Sequence, residues 1–146
     1  MSGTFTASAQ VAGVDRLVER GVLVNSGVAA TCYGANCSYR DPVEAGCNAG
    51  AVTSDELRIN HIRVEKRYSS ACHASWARMT ILTPNLDCGA AGAVWQERLY
   101  SGGEIGRTPN ACYWTQMQGH GSGGGYTRSC GTSVGKTVCT RWWAGS

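Results

Sequence analysis

The cysteines set the tightest limit on what this chain can become. There are eight in 146 residues (Cys32, Cys37, Cys47, Cys72, Cys88, Cys112, Cys130 and Cys139), and none precedes Cys32. An even count in a small, glycine-rich chain reads as a disulfide framework formed in an oxidising compartment. Zinc is the competing reading. Structural zinc sites repeat a short C-x-x-C-type knuckle or follow it with paired histidines. Only Cys32 and Cys37 lie close together, no second knuckle follows, and His61, His73 and His120 are scattered. The spacing favours disulfides, and neither a metal nor a cofactor is expected. Eight cysteines allow on the order of a hundred connectivities. Successive hairpins would join sequence neighbours, as Cys32–Cys37, Cys47–Cys72, Cys88–Cys112 and Cys130–Cys139, the first of these closing a very short loop.

The remaining bulk properties exclude more than they propose. A hydrophobic fraction of 42% is that of an ordinary globular chain. A formal charge of +3 without a basic run is too small to predict a nucleic-acid partner. No apolar stretch approaches the ~18 residues of a membrane span. The opening MSGTFTASAQ has neither the basic nor the apolar region of a secretory leader. A mature secreted chain with an added start Met is the expectation.

Two regions differ in composition. Residues 1–30 hold no cysteine, tyrosine or tryptophan; all five Trp and six Tyr lie in 31–146, whereas the one Phe is Phe5. In the first region Val14, Leu17, Val18 and Val22 recur at helical spacing, Gly21 offers a stop, and Val22-Leu23-Val24 equally suits a strand. Such a segment either packs on the domain behind it or forms an arm that reaches a partner. For an arm, Phe5, Val11, Val14, Leu17, Val22 and Leu23 are the candidate contacts.

Residues 31–146 read as β-rich. HIRVEKRYS (61–69) alternates apolar and charged residues as a half-buried strand does. WARMTILT (76–83), AVWQERLYS (93–101), ACYWTQMQ (111–118) and KTVCTRWW (136–143) supply further strands, with Val94, Gln96, Arg98 and Tyr100 on one side of the third run. Turn signals separate them at Pro84-Asn85, Ser101-Gly102-Gly103, Pro109-Asn110 and the glycines of 119–125. Short strands so spaced predict a small all-β antiparallel sandwich or barrel.

GTSVGKT (131–137) resembles a phosphate loop, but that loop needs four residues between its glycines and a helix after it. Three residues separate Gly131 from Gly135, and VCTRWW is not that helix. A hairpin turning near Val134-Gly135 would instead bring Cys130 to Cys139, so no nucleotide is expected. GHGSGGGYTR (119–128) lacks a strand–helix setting and reads as a flexible surface loop. No G-x-S-x-G elbow is present, and serines, histidines and carboxylates fall into no spacing that assigns catalytic roles. His73 follows Cys72 and is assigned to packing against a disulfide. Trp76, Trp95 and Trp114 are assigned to the core. Trp142 and Trp143 are neighbours, so on a strand they leave on opposite sides, and the exposed one is a candidate contact for a protein or a sugar.

CYGANCSYRDPVEAGCNAGAVT (32–53), RYSSACHASWARM (67–79) and Cys139-Thr140-Arg141-Trp142 together resemble a family of small secreted bacterial proteins of unknown function, common in mycelial actinobacteria and found in bacilli. The resemblance covers about residues 32–143 and implies a secreted, disulfide-bonded β domain; it brings no established catalytic residues to carry over. Cys88 and Cys112 are less regular in that pattern and would add a bridge. A small β domain behind an N-terminal extension is similar in architecture to the adaptor subunit of secreted umbrella-shaped toxin particles. That likeness implies partners: a lectin subunit on one side and a large scaffold chain on the other. A carbohydrate-binding module is the alternative, and a cell-wall-active hydrolase comes third.

Overall fold

The computed structural model describes residues 29–121 and 125–144. Val52–Ile59 (β1) and Ile62–Ser69 (β2) form a hairpin in which Ile59 faces Ile62 across a two-residue turn. Asn60 takes φ 46° there, a left-handed conformation that asparagine tolerates. A second turn leads into Ala74–Ile81 (β3), antiparallel to β2 from Ser69↔Ala74 to Ile62↔Ile81. Asp87 caps a single helical turn, Cys88–Ala91 (α1), by accepting from the Ala90 amide at 3.1 Å. Ala93–Leu99 (β4), Ile105–Arg107 (β5), Gln118–Gly119 (β6), Tyr126–Ser133 (β7) and Lys136–Cys139 (β8) follow.

The strands form two antiparallel four-stranded sheets, ordered β1-β2-β3-β6 and β5-β4-β7-β8. The expected all-β sandwich is what the chain forms, with β6 crossing over to complete the first sheet. The β7–β8 hairpin turns at Val134 (φ 51°) and Gly135 (φ 75°), with Cys130 directly opposite Cys139. All four neighbouring pairs are bridged: Cys32–Cys37, Cys47–Cys72, Cys88–Cys112 and Cys130–Cys139.

Three local expectations change. ACYWTQMQ is not a continuous strand: Ala111 and Trp114 make single bridges to Val94 and Arg78, and regular pairing resumes only at Gln118. Its backbone instead bonds several strands in turn, with Met79 N on Tyr113 O and Thr115 N on Ala77 O. Tyr126–Arg128, read as loop, opens β7, because its partners on β4 supply a ladder the local glycine content hides. Trp114 is not core. It is 44% exposed, its indole N–H donating to Asp41 Oδ2 at 3.2 Å, whereas Trp76 and Trp95 are buried as expected.

The first sheet buries both faces. Its outer face carries Ala74 and Trp76 under the 32–51 loops, packed with Cys32, Cys37, Ala45, Cys47, Cys72 and Met117. Its inner face meets the second sheet through Ile59, Ile62, Val64, Ala77 and Met79 against Ala91 and Val94. The sheets approach closely at Gly131, where a β-carbon would stand 2.5 Å from Val64 Cγ2. Further along the same strands the inner face turns polar. Lys66 follows Val64 by two residues, Gln96 and Arg98 follow Val94, and Ser75, Gln118, Thr127 and Ser129 complete the layer, all buried. Ser75 Oγ donates to Thr127 Oγ1 (3.0 Å) and accepts from Gln96 Nε2 (3.0 Å), while Ser129 donates to Gln96 Oε1.

Candidate functional site

The polar end of the intersheet space opens to the surface at a hollow of about 470 Å3, lined by Tyr33, Gly34, Ala35, Asn36, His73, His120 and Gly121. Three chain segments build it. The 3-10 turn Gly34–Cys37 supplies one wall, the β2–β3 turn supplies His73, and the end of β6 supplies His120. Backbone bonds fix their spacing: Gly34 N donates to Cys72 O (2.7 Å) and His120 N to His73 O (2.9 Å). Only glycine fits at the crossing, because a β-carbon on Gly119 would lie 1.9 Å from Gly34 O. The Cys32–Cys37 and Cys47–Cys72 bridges stand behind this wall, with Cys32 Sγ 3.8 Å from Cys47 Sγ. His73 has φ 49°, a conformation costly for a non-glycine residue unless its surroundings hold it.

Four rings meet here. Tyr33 stacks on His73 with centroids 5.5 Å apart; Tyr68 lies edge-on to His73 and His120; the two imidazoles are 5.2 Å apart. Tyr33 is 62% exposed and forms the rim, whereas His120 is buried at the floor. Tyr68 Oη lies 3.0 Å from His73 Nδ1, and His120 Nε2 lies 3.3 Å from Ser75 Oγ.

The hydrogen-bond network sets the proton of the His120 ring. Ser75 spends its one proton on Thr127, so its oxygen can only accept from His120, which therefore carries its proton on Nε2 and offers Nδ1 as an acceptor. Tyr68 Oη and His73 Nδ1 share the other side-chain bond of the cluster; when the phenol donates, His73 keeps its proton on Nε2. Burial, followed by the charges of Lys66, His73 and Arg98, pushes the His120 pKa down to about 3. His120 is thus neutral at physiological pH. Burial, then the neighbouring Tyr33, holds Tyr68 above the usual phenol value. Lys66 is pushed down to about 7 by burial, against the pull of Asp55. The hollow presents two imidazoles, Asn36 and an aromatic rim, and among the described residues no carboxylate lines it.

Metal chemistry has two geometric candidates among the described residues: Glu97 with the bridged Cys130 and Cys139, and a set of four sulfurs. The sulfurs of Cys32, Cys37, Cys47 and Cys72 lie within 4.8 Å of one another, but each is bonded to a partner and has no thiolate to offer.

The structure separates the residues singled out in the sequence. Phe5, Val11, Val14, Leu17, Val22 and Leu23 lie outside the described residues. Trp142 and Trp143 lie beyond the last strand, and both are half-buried. Arg128 covers the Trp142 ring at 4.2 Å and Arg141 the Trp143 ring at 4.3 Å, while the Trp143 indole donates to Asp55 Oδ2 at 3.0 Å. Neither lies in the hollow. Tyr33, Tyr68, Ser75 and His120 were not singled out, and His73 was assigned to packing. The available signal was adjacency, since Tyr33 and His73 each follow a bridged cysteine whose backbone is fixed. Nothing in the glycines around His120 announces its role.

A small disulfide-locked β-sandwich with a ring-lined hollow is the class of protein these features define. The chain belongs to the family described as Protein of unknown function (DUF2690), which matches residues 31–117, more than half of its length. The match begins where the cysteine motifs begin and ends just before β6. No curated protein and no solved structure matches the chain.

Proposed function

We propose that this chain is a secreted, non-catalytic adaptor that joins subunits of an extracellular antibacterial particle, one of them a lectin and another a scaffold chain. Residues 1–30 would be the arm that engages one partner, adding a strand or laying an apolar face in a groove. The disulfide domain would hold the other partner. The observation that carries this reading is a set of large rings displayed on a covalently braced frame. Tyr39 is 46%, Tyr113 52% and Trp114 44% exposed, and Val43 (44%) lies in the loop that also holds Asp41, the partner of Trp114. Rigid aromatic surface loses little conformational entropy on binding, which is why such rings are enriched at interfaces. The test is affinity capture from the producing organism's culture supernatant, without reductant, using the full chain and a 31–146 truncation. The expected result is large secreted partners, of which one set is lost with the truncation. Equal capture by both baits would remove the arm from the account, and capture by neither would remove the adaptor.

A further inference from the structure

The hollow has properties that an adaptor role does not use. We propose that it is a binding site for an N-acetylated amino sugar, with the acetamido group held between His73 and His120 and the sugar ring leaning on Tyr33. This inference is independent of the adaptor reading.

The argument runs through donors and acceptors. We assign the Tyr68 phenol as donor to His73 Nδ1, which turns an N–H at Nε2 to the ligand; His120, donating to Ser75, keeps a lone pair on Nδ1. A group that satisfies both must itself carry one acceptor and one donor in fixed relation, as a secondary amide does. A carboxylate brings acceptors only and would meet the His120 lone pair with repulsion. An ammonium group brings donors only and would meet the His73 N–H. Because His120 stays neutral, its lone pair is available across the physiological range. Tyr33 adds an apolar face at the rim, suited to the C–H face of a pyranose. At about 470 Å3 the hollow falls in the ~300–1,000 Å3 range of small-ligand sites. Two disulfides and the Gly34–Gly119 crossing hold the walls before any ligand arrives, which limits the ordering cost of a weak ligand.

A second hollow, about 410 Å3 beside the Cys88–Cys112 bridge, is walled by Gly, Ala, Thr, Ser, Val and Asn110, with no ring among its described lining residues. It serves as an internal control.

The experiment is calorimetric titration of the full chain with N,N′,N″-triacetylchitotriose, and separately with cellotriose, which carries hydroxyls in place of the acetamido groups. The expected result is binding of the first and at least roughly ten-fold weaker binding of the second, the worth of one good hydrogen bond. Tyr33→Ala should weaken chitotriose by a similar factor, and Val134→Ala in the control hollow should leave it unchanged. Tyr33 is largely exposed, so its variant folds even if a His73→Ala chain does not. No binding of chitotriose, equal binding of both trisaccharides, or full affinity in Tyr33→Ala would overturn the proposal.

Discussion

The two ends of the intersheet space are built on the same strands and obey different physics. At one end Ile59, Ile62, Val64, Met79 and Val94 close over Gly131 with no polar side chain among them. Two residues further along β2 and β4 the inward positions become Lys66, Gln96 and Arg98, and the opposite strand supplies Thr127 and Ser129. The first end is held by burial, which is non-directional and scales with apolar area. The second is held by bonds with a direction, each worth little net but costly to leave unmade. That difference assigns their tasks. Close packing makes the first end a fixed joint, and the hydrogen-bonded end holds His120 and, through it, the floor of the hollow.

The sharpest way to break the comparison is to remove volume from the apolar end. Ile62→Ala should cost about 2–5 kcal/mol, seen as a lower urea midpoint with little change in slope. Next, Gln96→Leu keeps approximate size but deprives Ser75 and Ser129 of a partner, and should cost about 1–3 kcal/mol. If Gln96→Leu proves neutral, the polar end does not depend on its directed bonds and the contrast fails.

The smallest effect, and the most selective, is pH dependence. Between about pH 3 and the ordinary 6.5, His120 is protonated only in the unfolded chain, so stability falls as pH drops through that window. Between about pH 7 and the ordinary 10.5, Lys66 is protonated only in the unfolded chain, so stability rises with pH there. Each slope is at most about 1.4 kcal/mol per pH unit. Glu65, on the outer face, steepens the acid limb as well. Burial alone would raise its pKa, but bonds from Thr53 and Arg78 and the Arg63 charge bring it below the ordinary value. Thermal melts of His120→Gln and Lys66→Met should each flatten only their own window, whereas Ile62→Ala should lower the whole curve without reshaping it.

How far the sequence reached follows from the same contrast. Alternation in HIRVEKRYS and the cysteine order were enough to place β2, β3, β4, the β7–β8 turn and all four bridges, because strand periodicity and neighbouring hairpins are local signals. Segment 111–118 was misread because its residues suit strands while their partners lie on two different sheets. Trp114 was misread because core assignment by residue type ignores Asp41, which lies 73 positions away and holds the indole at the surface. The hollow was invisible for a similar reason. Its rings come from positions 33, 68, 73 and 120, brought together by a crossing of backbones at Gly34 and Gly119 rather than by any spacing along the chain.

The bridge pattern divides the covalent structure in a way the sheets do not. Cys32–Cys37 and Cys47–Cys72 lie wholly before residue 82, Cys88–Cys112 and Cys130–Cys139 wholly after residue 87, and no cysteine is left over. Yet β6, from the second half, is the edge strand of the first sheet. A single proteolytic nick among the exposed residues of 82–87 would therefore release two separately stapled fragments joined by no covalent bond. Folding would become a bimolecular association, dependent on concentration. The two fragments would constitute a natural split protein whose reassembly rebuilds the hollow, since Tyr33 and His73 travel with one piece and His120 with the other.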